Sequence, residues 1–147
     1  MHPSIKILLD VKDYLVQYPI KADPILIHEG GIPQIFGSSI NIMMGSEESE
    51  IYGNNRLLTK VKITLEINSA QSIYSENKLK LLSDLSEQID SAFLDVQAEK
   101  VSTKAMNIEL DSGFTIDTIN HSDFQHSKMI KNYIFTYKRS ILDAEVI

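Results

Sequence analysis

The 147-residue chain has no cysteine. This absence excludes disulfide bonds, zinc sites built from thiolates and redox chemistry that depends on thiols. The chain also has no run of about 18 apolar residues, so the sequence predicts no membrane-spanning helix. The N-terminal segment MHPSIKILLDVKDYL lacks the basic region followed by an apolar region that marks a signal peptide, which predicts synthesis and folding in the cytoplasm.

Positive charge is also scarce. The chain has 14 lysine and arginine residues against 20 aspartate and glutamate residues, which gives a net charge of −6 and a pI near 5.1. The longest basic run is the pair Lys138–Arg139. A nucleic-acid groove needs clustered lysine and arginine, so this balance argues against one. The acidic balance indicates a soluble protein, or a surface that repels DNA rather than holding it.

Sequence motifs of common enzymes are absent: there is no GxSxG, no P-loop, no GxGxxG after a strand and no HExxH. One segment could hold zinc or iron, because HSDFQH supplies two imidazoles and a carboxylate in His121, Asp123 and His126. Alternation along a strand would place His121 and Asp123 on one face and His126 on the other. The spacing therefore favours a polar turn between two strands, and we expect no metal, no cofactor and no enzymatic activity.

Two further groups of residues allow both a chemical and a structural interpretation. His28–Glu29 could supply a base in a loop, but Gly30–Gly31 favour a turn after a strand, and no nucleophile is near in sequence. The row Tyr133, Phe135 and Tyr137 could stack on nucleic-acid bases, but it lacks surrounding cations for phosphates. Such a row in a strand is more typical of a core face.

The apolar periodicity predicts one α+β domain over residues 1–147. The predicted elements are a helix over 4–18, strands over 25–28, 39–44 and 57–68, a helix over 72–96, strands over 104–110, 113–119 and 129–138, and a C-terminal tail over 138–147. This α-β-β-β-α-β-β-β order predicts a mostly antiparallel sheet with two helices packed on it. The apolar stripe of the first helix is predicted to consist of Ile5, Leu8, Leu9, Lys12, Leu15 and Val16, with Lys12 at its margin.

The strand over 57–68 has a clear alternation of apolar and polar residues. Its dry face is formed by Val61, Ile63, Leu65 and Ile67, and its wet face by Lys60, Lys62, Thr64 and Glu66. The preceding segment GSEESEIYGNN, residues 45–55, is rich in glycine, asparagine and glutamate, which predicts a long hairpin loop rather than a tight turn. These features together predict a long β-hairpin that protrudes from the domain.

The glutamates of this loop, Glu47, Glu48 and Glu50, allow three interpretations. They could bind calcium, although the EF-hand pattern of alternating oxygen ligands is absent. They could simply form a solvated hairpin tip. They could also line a common axis at which several copies of the chain point their loops.

The starting helix with ILLDVKDYL, the hairpin around GSEESEIYGNN, the mid-chain helix and the closing strands resemble tail terminator and related neck proteins of tailed bacteriophages. The resemblance spans nearly the whole chain and lies in length and element order rather than in a signature motif. It implies a hexameric ring at the head-proximal end of the tail tube, which stops tube polymerisation and docks to the head connector. Each subunit of such a ring offers two different surfaces to its neighbours, because a heterologous interface closes by rotation.

The resemblance implies a virion structural protein, made in the host cytoplasm, whose partners are its own copies, the tail tube protein and a head–tail connector or stopper protein. DNA would pass through the lumen without specific binding, because a negative lumen offers phosphates no cations. The alternatives are another neck or head-completion (stopper) protein and a small cytoplasmic ligand-binding α+β domain, which would need a concave apolar pocket. The candidate interface or lumen residues are Glu47, Glu48, Glu50, Tyr52, Lys60, Lys62 and Glu66.

Overall fold

A computed structural model describes most of the chain, namely residues 1–18, 20, 22, 25–27, 37–72 and 78–140, without the side chains of Lys78 and Ser112. In these residues it contains α1 (Pro3–Gln17), β1 (Ile25–Ile27), β2 (Gly37–Ile51), β3 (Arg56–Ser72), α2 (Lys78–Leu94), α3 (Ala98–Val101), β4 (Asn107–Asn120) and β5 (Phe124–Ser140). The predicted α+β class is confirmed.

The five strands form one sheet in the order β1-β2-β3-β5-β4. β1 runs parallel to β2, and the other three neighbouring pairs are antiparallel, so the prediction of a mostly antiparallel sheet is confirmed. α1 packs on β1 and β2, and α2 packs on β3, β4 and β5. Both helices contribute to one hydrophobic core and therefore lie on the same side of the sheet, which we call the helix side. We call the opposite side the open face.

The alternation in the two central strands builds this core. Val61, Ile63, Leu65 and Ile67 of β3 are fully buried on the helix side, and so are Tyr133, Phe135 and Tyr137 of β5, as their spacing predicts. Aromatic contacts connect α2 to β5. The ring of Phe93 in α2 lies edge-on to the rings of Tyr133 and Phe135, with centroid distances of 4.8 Å and 5.8 Å. The aromatic row of β5 is thus core and not a platform for bases.

The predicted apolar stripe of α1 is wrong in part: Leu15 is fully buried and Leu8 packs against the core, but Ile5, Leu9 and Val16 do not face it. The core-facing residues of α1 are Ile7, Val11 and Leu15, which are fully buried, whereas three members of the predicted stripe are exposed to 46% (Ile5), 37% (Leu9) and 59% (Val16). The helix carries two apolar stripes at helical spacing, and only one can face the sheet. We call the exposed one, formed by Ile5, Leu9, Lys12 and Val16, the outer stripe.

The predicted loop over 45–55 is mostly strand. β2 continues to Ile51, and the chain then turns within Tyr52–Asn55, where the Tyr52 amide donates to the Arg56 carbonyl at 2.7 Å. Gly53 and Asn55 both have positive φ, which these two residue types tolerate. The long ladder between β2 and β3 therefore outweighs the low strand propensity of the Ser–Glu run.

The strand boundaries in the second half also differ from the prediction. The strands predicted over 104–110 and 113–119 form one strand, β4, with an irregularity between Leu110 and Phe114 that contains Gly113 at φ +55°. The short helix α3 was not predicted, so the observed order is α-β-β-β-α-α-β-β. The last strand begins at Phe124 and includes residues 138–140 of the predicted tail; residues 141–147 lie outside the described residues.

Smaller differences concern the remaining boundaries. β3 extends to Ser72, which the sequence assigned to the second helix, and α2 covers 78–94 of the predicted 72–96. β1 confirms the predicted first strand up to Ile27, while the His28–Glu29 and Gly30–Gly31 predictions lie outside the described residues.

The β2–β3 hairpin is long, with 15 residues in β2 and 17 in β3. β5 pairs with β3 over its full length, from Arg56 opposite Ser140 to Ser72 opposite Phe124, so the hairpin belongs to a three-stranded ribbon. In the described part of the chain, β1 pairs with residues 40–42 of β2 and with no other strand residues. Among the described residues, the outer half of β2 and the whole of β4 are therefore free sheet edges.

Candidate functional site

A β-bulge in β2 separates the three glutamates that the sequence grouped together. Met44 lies opposite Ile63 but Glu47 lies opposite Val61, so β2 has one surplus residue at this point. Glu47 therefore shares the helix side with Val61, because directly opposite residues point to the same face. Glu48 and Glu50 lie opposite Lys60 and Leu58, on the open face.

Glu47 joins the sheet to the start of α1. Its Oε1 accepts hydrogen bonds from Ser4 Oγ at 2.6 Å and Tyr137 Oη at 2.8 Å. His2 caps α1 by accepting from the Ser4 amide at Nδ1, and its Nε2 lies 3.7 Å from the same carboxylate oxygen. These contacts bind the bulge to the N-terminus of α1, so Glu47 is a structural residue rather than part of a free acidic tip.

The titration of this group follows from its surroundings. Burial raises the pKa of Glu47. The hydrogen bonds from Ser4 and Tyr137, together with the charges of His2 and Arg139, lower it by more, so the pKa of Glu47 lies below its ordinary value. Burial, together with the neighbouring Glu47 charge, raises the pKa of Tyr137 to about 12. At neutral pH the group is thus a carboxylate held by a neutral phenol.

Five of the predicted interface residues lie together at the turn end of the open face. We call this set, Glu48, Glu50, Tyr52, Lys60 and Lys62, the distal surface. Glu48, Glu50 and Lys60 help to line a shallow groove of about 220 Å³. Tyr52 is covered by Lys138, whose Nζ lies 4.4 Å from the ring centroid.

The lysines of the distal surface have partners on β4. Lys62 Nζ lies 3.0 Å from Asp111 Oδ2, and Lys60 Nζ lies 4.0 Å from Glu109 Oε1, each reaching across β5. The wet face that the alternation of β3 predicts is therefore a band of paired charges, with the carboxylates of Glu48 and Glu50 along its β2 side.

Glu66 does not belong to this surface. It is 6% exposed near the other end of the open face, where Asn41 Nδ2 lies 3.4 Å and Lys128 Nζ 3.7 Å from its carboxylate. Next to it, Asn68 Oδ1 lies 3.0 Å from Nε2 of the buried His126. As a buried member of a polar row, Glu66 is not accessible to another subunit, which the sequence alone did not indicate.

The His121, Asp123 and His126 segment is a turn and a strand start. His121 stacks on Phe124 with ring centroids 4.3 Å apart, and its amide donates to the Phe124 carbonyl. His126 is buried against Asn68, and burial lowers its pKa, with further lowering by the charges of Lys128 and His121. The described residues contain no group of three or more His, Asp or Glu side chains arranged to hold a metal ion.

Sequence reasoning missed a buried ion pair between the sheet and α2. Lys131, 2% exposed, donates from Nζ to Asp90 Oδ1 at 2.5 Å and to Ser86 Oγ at 2.8 Å. Tyr133 donates to the same Asp90 oxygen at 2.5 Å, and burial with this contact raises the Tyr133 pKa. The parity that buries Tyr133 and Phe135 also applies to Lys131, so the signal was present in the alternation.

Apolar side chains are exposed on the helix side of β4. Leu110, Phe114 and Ile116 lie opposite Tyr133, Lys131 and Met129 of β5, so they point to the helix side, and they are 38%, 57% and 40% exposed. We call these three residues the β4 patch. The outer stripe of α1 lies at the β1–β2 end of the strand order, and the β4 patch lies at the other end. The molecule therefore has two different apolar surfaces at opposite ends of the sheet.

A groove of about 450 Å³ lies between the end of α1, the start of β2 and α2. Its lining combines Leu81 and Leu85 with the polar side chains of Ser38, Asp84, Gln88 and Ser91. A small-molecule site is usually a mostly apolar cavity with few polar groups. This mixed, open lining does not favour the ligand-binding alternative.

No protein-family model matches the chain, and no curated protein matches it in sequence. None of the described helices is long and apolar enough to cross a membrane.

Proposed function

We propose that the protein is a virion structural protein of a tailed bacteriophage that acts as a tail terminator. In this role a ring of copies, six by resemblance to tail terminators, caps the head-proximal end of the tail tube and joins the tail to the head. The observation that supports the proposal most is the pair of different apolar surfaces, the outer stripe and the β4 patch. Exposed apolar patches mark interaction sites, and a closed ring needs two different ones on each subunit.

The distal surface is the proposed contact with the tail tube or the head connector. It lies on the open face, away from both apolar surfaces, so a ring built through those surfaces leaves it accessible. Glu48 and Glu50 give its β2 side a negative charge, and the whole chain carries −6. Where this charge faces the lumen, it repels the phosphates of passing DNA.

The proposal is tested by mixing the purified protein with tube subunits from the same phage and imaging the product by negative-stain electron microscopy. We expect rings at one end of tubes that no longer elongate. The variant with Glu48→Lys and Glu50→Lys should still form rings in light scattering but cap fewer tubes. Tubes that elongate normally at a high concentration of the wild-type protein would contradict the proposed function.

A further inference from the structure

The outer stripe is an apolar helix face with a cation within it. Ile5, Leu9, Lys12 and Val16 follow one another at intervals of four, three and four residues, which places them on one side of α1. Leu9 and Val16 lie on either side of Lys12, and the stripe from Ile5 to Val16 is about 17 Å long along the helix axis. Lys12 has no ion pair with any residue that the structure describes. A helix that is apolar on two faces is typical of a helix covered on both sides.

The β4 patch is an apolar strand face with an anion beside it. α2 packs on β3, β5 and part of β4 but leaves the three patch residues exposed, and Asp90 of α2 lies next to the patch because its partner Lys131 is directly opposite Phe114. Leu110 and Ile116 lie opposite β5 residues four positions apart, which makes the patch about 13 Å long. The Asp90 side chain is 34% exposed, and the bonds from Lys131 and Tyr133 both end on Oδ1. Within the described part of the chain, Oδ2 receives no bond.

We propose that the outer stripe of one copy packs against the β4 patch of a second copy, with Lys12 Nζ bound to Asp90 Oδ2. The inference deepens the proposed ring by naming the two surfaces that meet. The surfaces are of similar length, and each combines apolar side chains with one accessible charge, since Lys131 beside Asp90 is only 2% exposed. The two accessible charges are opposite. In this arrangement α1 of the first copy lies over β4 of the second copy, beside the second copy's own α2, so that both ends of that sheet are covered by a helix.

A direct pairing of two β4 edges is the competing arrangement. It would be isologous, with the same strand on both sides, and would close a dimer rather than a ring. It would also bring Glu109, Asp111 and Asp117 of two copies to one junction, and like charges on neighbouring strands are destabilising. The charges therefore favour the contact between α1 and β4.

Engineered cysteines test the contact directly, because the natural chain has none. Single-cysteine variants Leu9→Cys and Phe114→Cys are mixed under oxidising conditions, with Asn54→Cys at the hairpin turn as the control. We expect mixed 9–114 dimers at least about tenfold above 9–9, 114–114 and 9–54 dimers. Predominant 114–114 dimers would show the isologous pairing and overturn the inference, and so would the absence of any excess of 9–114 dimers.

A charge substitution tests the ion pair and leaves Asp90, which also supports the fold, unchanged. We expect Lys12→Glu to weaken self-association about tenfold or more in sedimentation velocity, and Lys12→Arg to retain it. Lys80→Glu, at a 70% exposed position of α2 outside the outer stripe, the β4 patch and the distal surface, makes the same change in net charge and should not weaken it. Unchanged association of Lys12→Glu, or equal weakening by Lys80→Glu, would contradict the contact. If tube capping persists in either case, the proposed function survives and only this interface fails.

Discussion

Two carboxylates join helices to the sheet, and they do so in different ways. Asp90 extends from α2 to a buried ammonium group, Lys131, and a phenol, Tyr133. Glu47 extends from the sheet to two hydroxyl groups, those of Ser4 and Tyr137. Removing Asp90 would leave a fully buried charge without its carboxylate partner, whereas removing Glu47 would leave two neutral hydroxyl groups and the partly exposed cation of Arg139. The energetic consequences should therefore differ, although the two hydrogen-bond networks have similar geometry.

The largest effect is expected for Asp90→Ala. With its partner removed, the Lys131 ammonium remains buried and uncompensated, which costs about 3–5 kcal/mol of unfolding free energy. Urea denaturation measures this loss. The double variant Asp90→Ala with Lys131→Met removes the charge as well and should recover most of the stability. A double variant no more stable than the single one would show that packing, not the unpaired charge, dominates.

Gly45→Ala should weaken the bulge that positions Glu47. A Cβ at residue 45 would lie 3.2 Å from Lys62 Cβ, Cγ and the carbonyl oxygen, and the backbone oxygen cannot move aside as a side chain can. We expect a loss of about 1–2 kcal/mol from overpacking, measured by thermal or urea unfolding. Ser46→Ala, at the exposed neighbouring position, is the matched control and should change stability little. Equal effects of the two substitutions would argue against the close contact.

Glu47→Gln should cost about 1 kcal/mol at neutral pH, because it removes charge-assisted hydrogen bonds but leaves neutral partners. The folded-state pKa of Glu47 is depressed, so its contribution is present above the ordinary value of about 4.5 and is lost as pH falls through the folded-state pKa. The difference in unfolding free energy between the wild-type protein and Glu47→Gln should thus shrink as the pH falls from about 5 through the folded-state pKa of Glu47. Parallel stability curves for the two proteins down to pH 2 would contradict this assignment.

The smallest effect is expected for Lys60→Ala. Lys60 and Glu109 form a pair at 4.0 Å with side chains 51% and 48% exposed, and such surface pairs contribute about 0–0.5 kcal/mol. The result sharpens the comparison with Lys131, since the same ion-pair chemistry has a large effect only where water is excluded. A loss above about 1 kcal/mol in urea denaturation would show that the charge band stabilises the sheet.

The sequence predicts the parts of this fold in which one pattern dominates. Strict alternation identified β3 and the buried face of β5, because a side-chain period of two has one structural solution. It did not orient α1, since the Ile7–Val11–Leu15 stripe and the outer stripe are both apolar, and only contact with the sheet decides between them. Alternation also did not predict that β2 continues past Met44. Glycine, serine and glutamate have low strand propensities, and the hydrogen bonds to β3 that hold this segment extended are tertiary contacts.

The candidate site was predicted in part. The sequence named the five members of the distal surface, but composition could not distinguish them from Glu47 and Glu66, which face other groups. The orientation of Glu47 depends on the β-bulge, and the pattern of apolar and polar residues does not reveal the surplus residue. Glu66 continues the polar parity of Lys60 and Lys62 but lies where that face is buried. The two apolar surfaces were missed because exposure, unlike hydrophobicity, depends on which elements cover which.

The surplus residue in β2 determines which glutamates of the hairpin face the helix side. If alternation continued unbroken from Ile40 and Ile42, the even-numbered Glu48 and Glu50 would point to the helix side, towards Tyr137 and the start of α1, and Glu47 would point to the open face. With the bulge, Glu47 points to the helix side, and Glu48 and Glu50 point to the open face. A single surplus residue thereby places one acid at the junction with α1 and two acids on the surface that we propose as the contact with the tube or the connector.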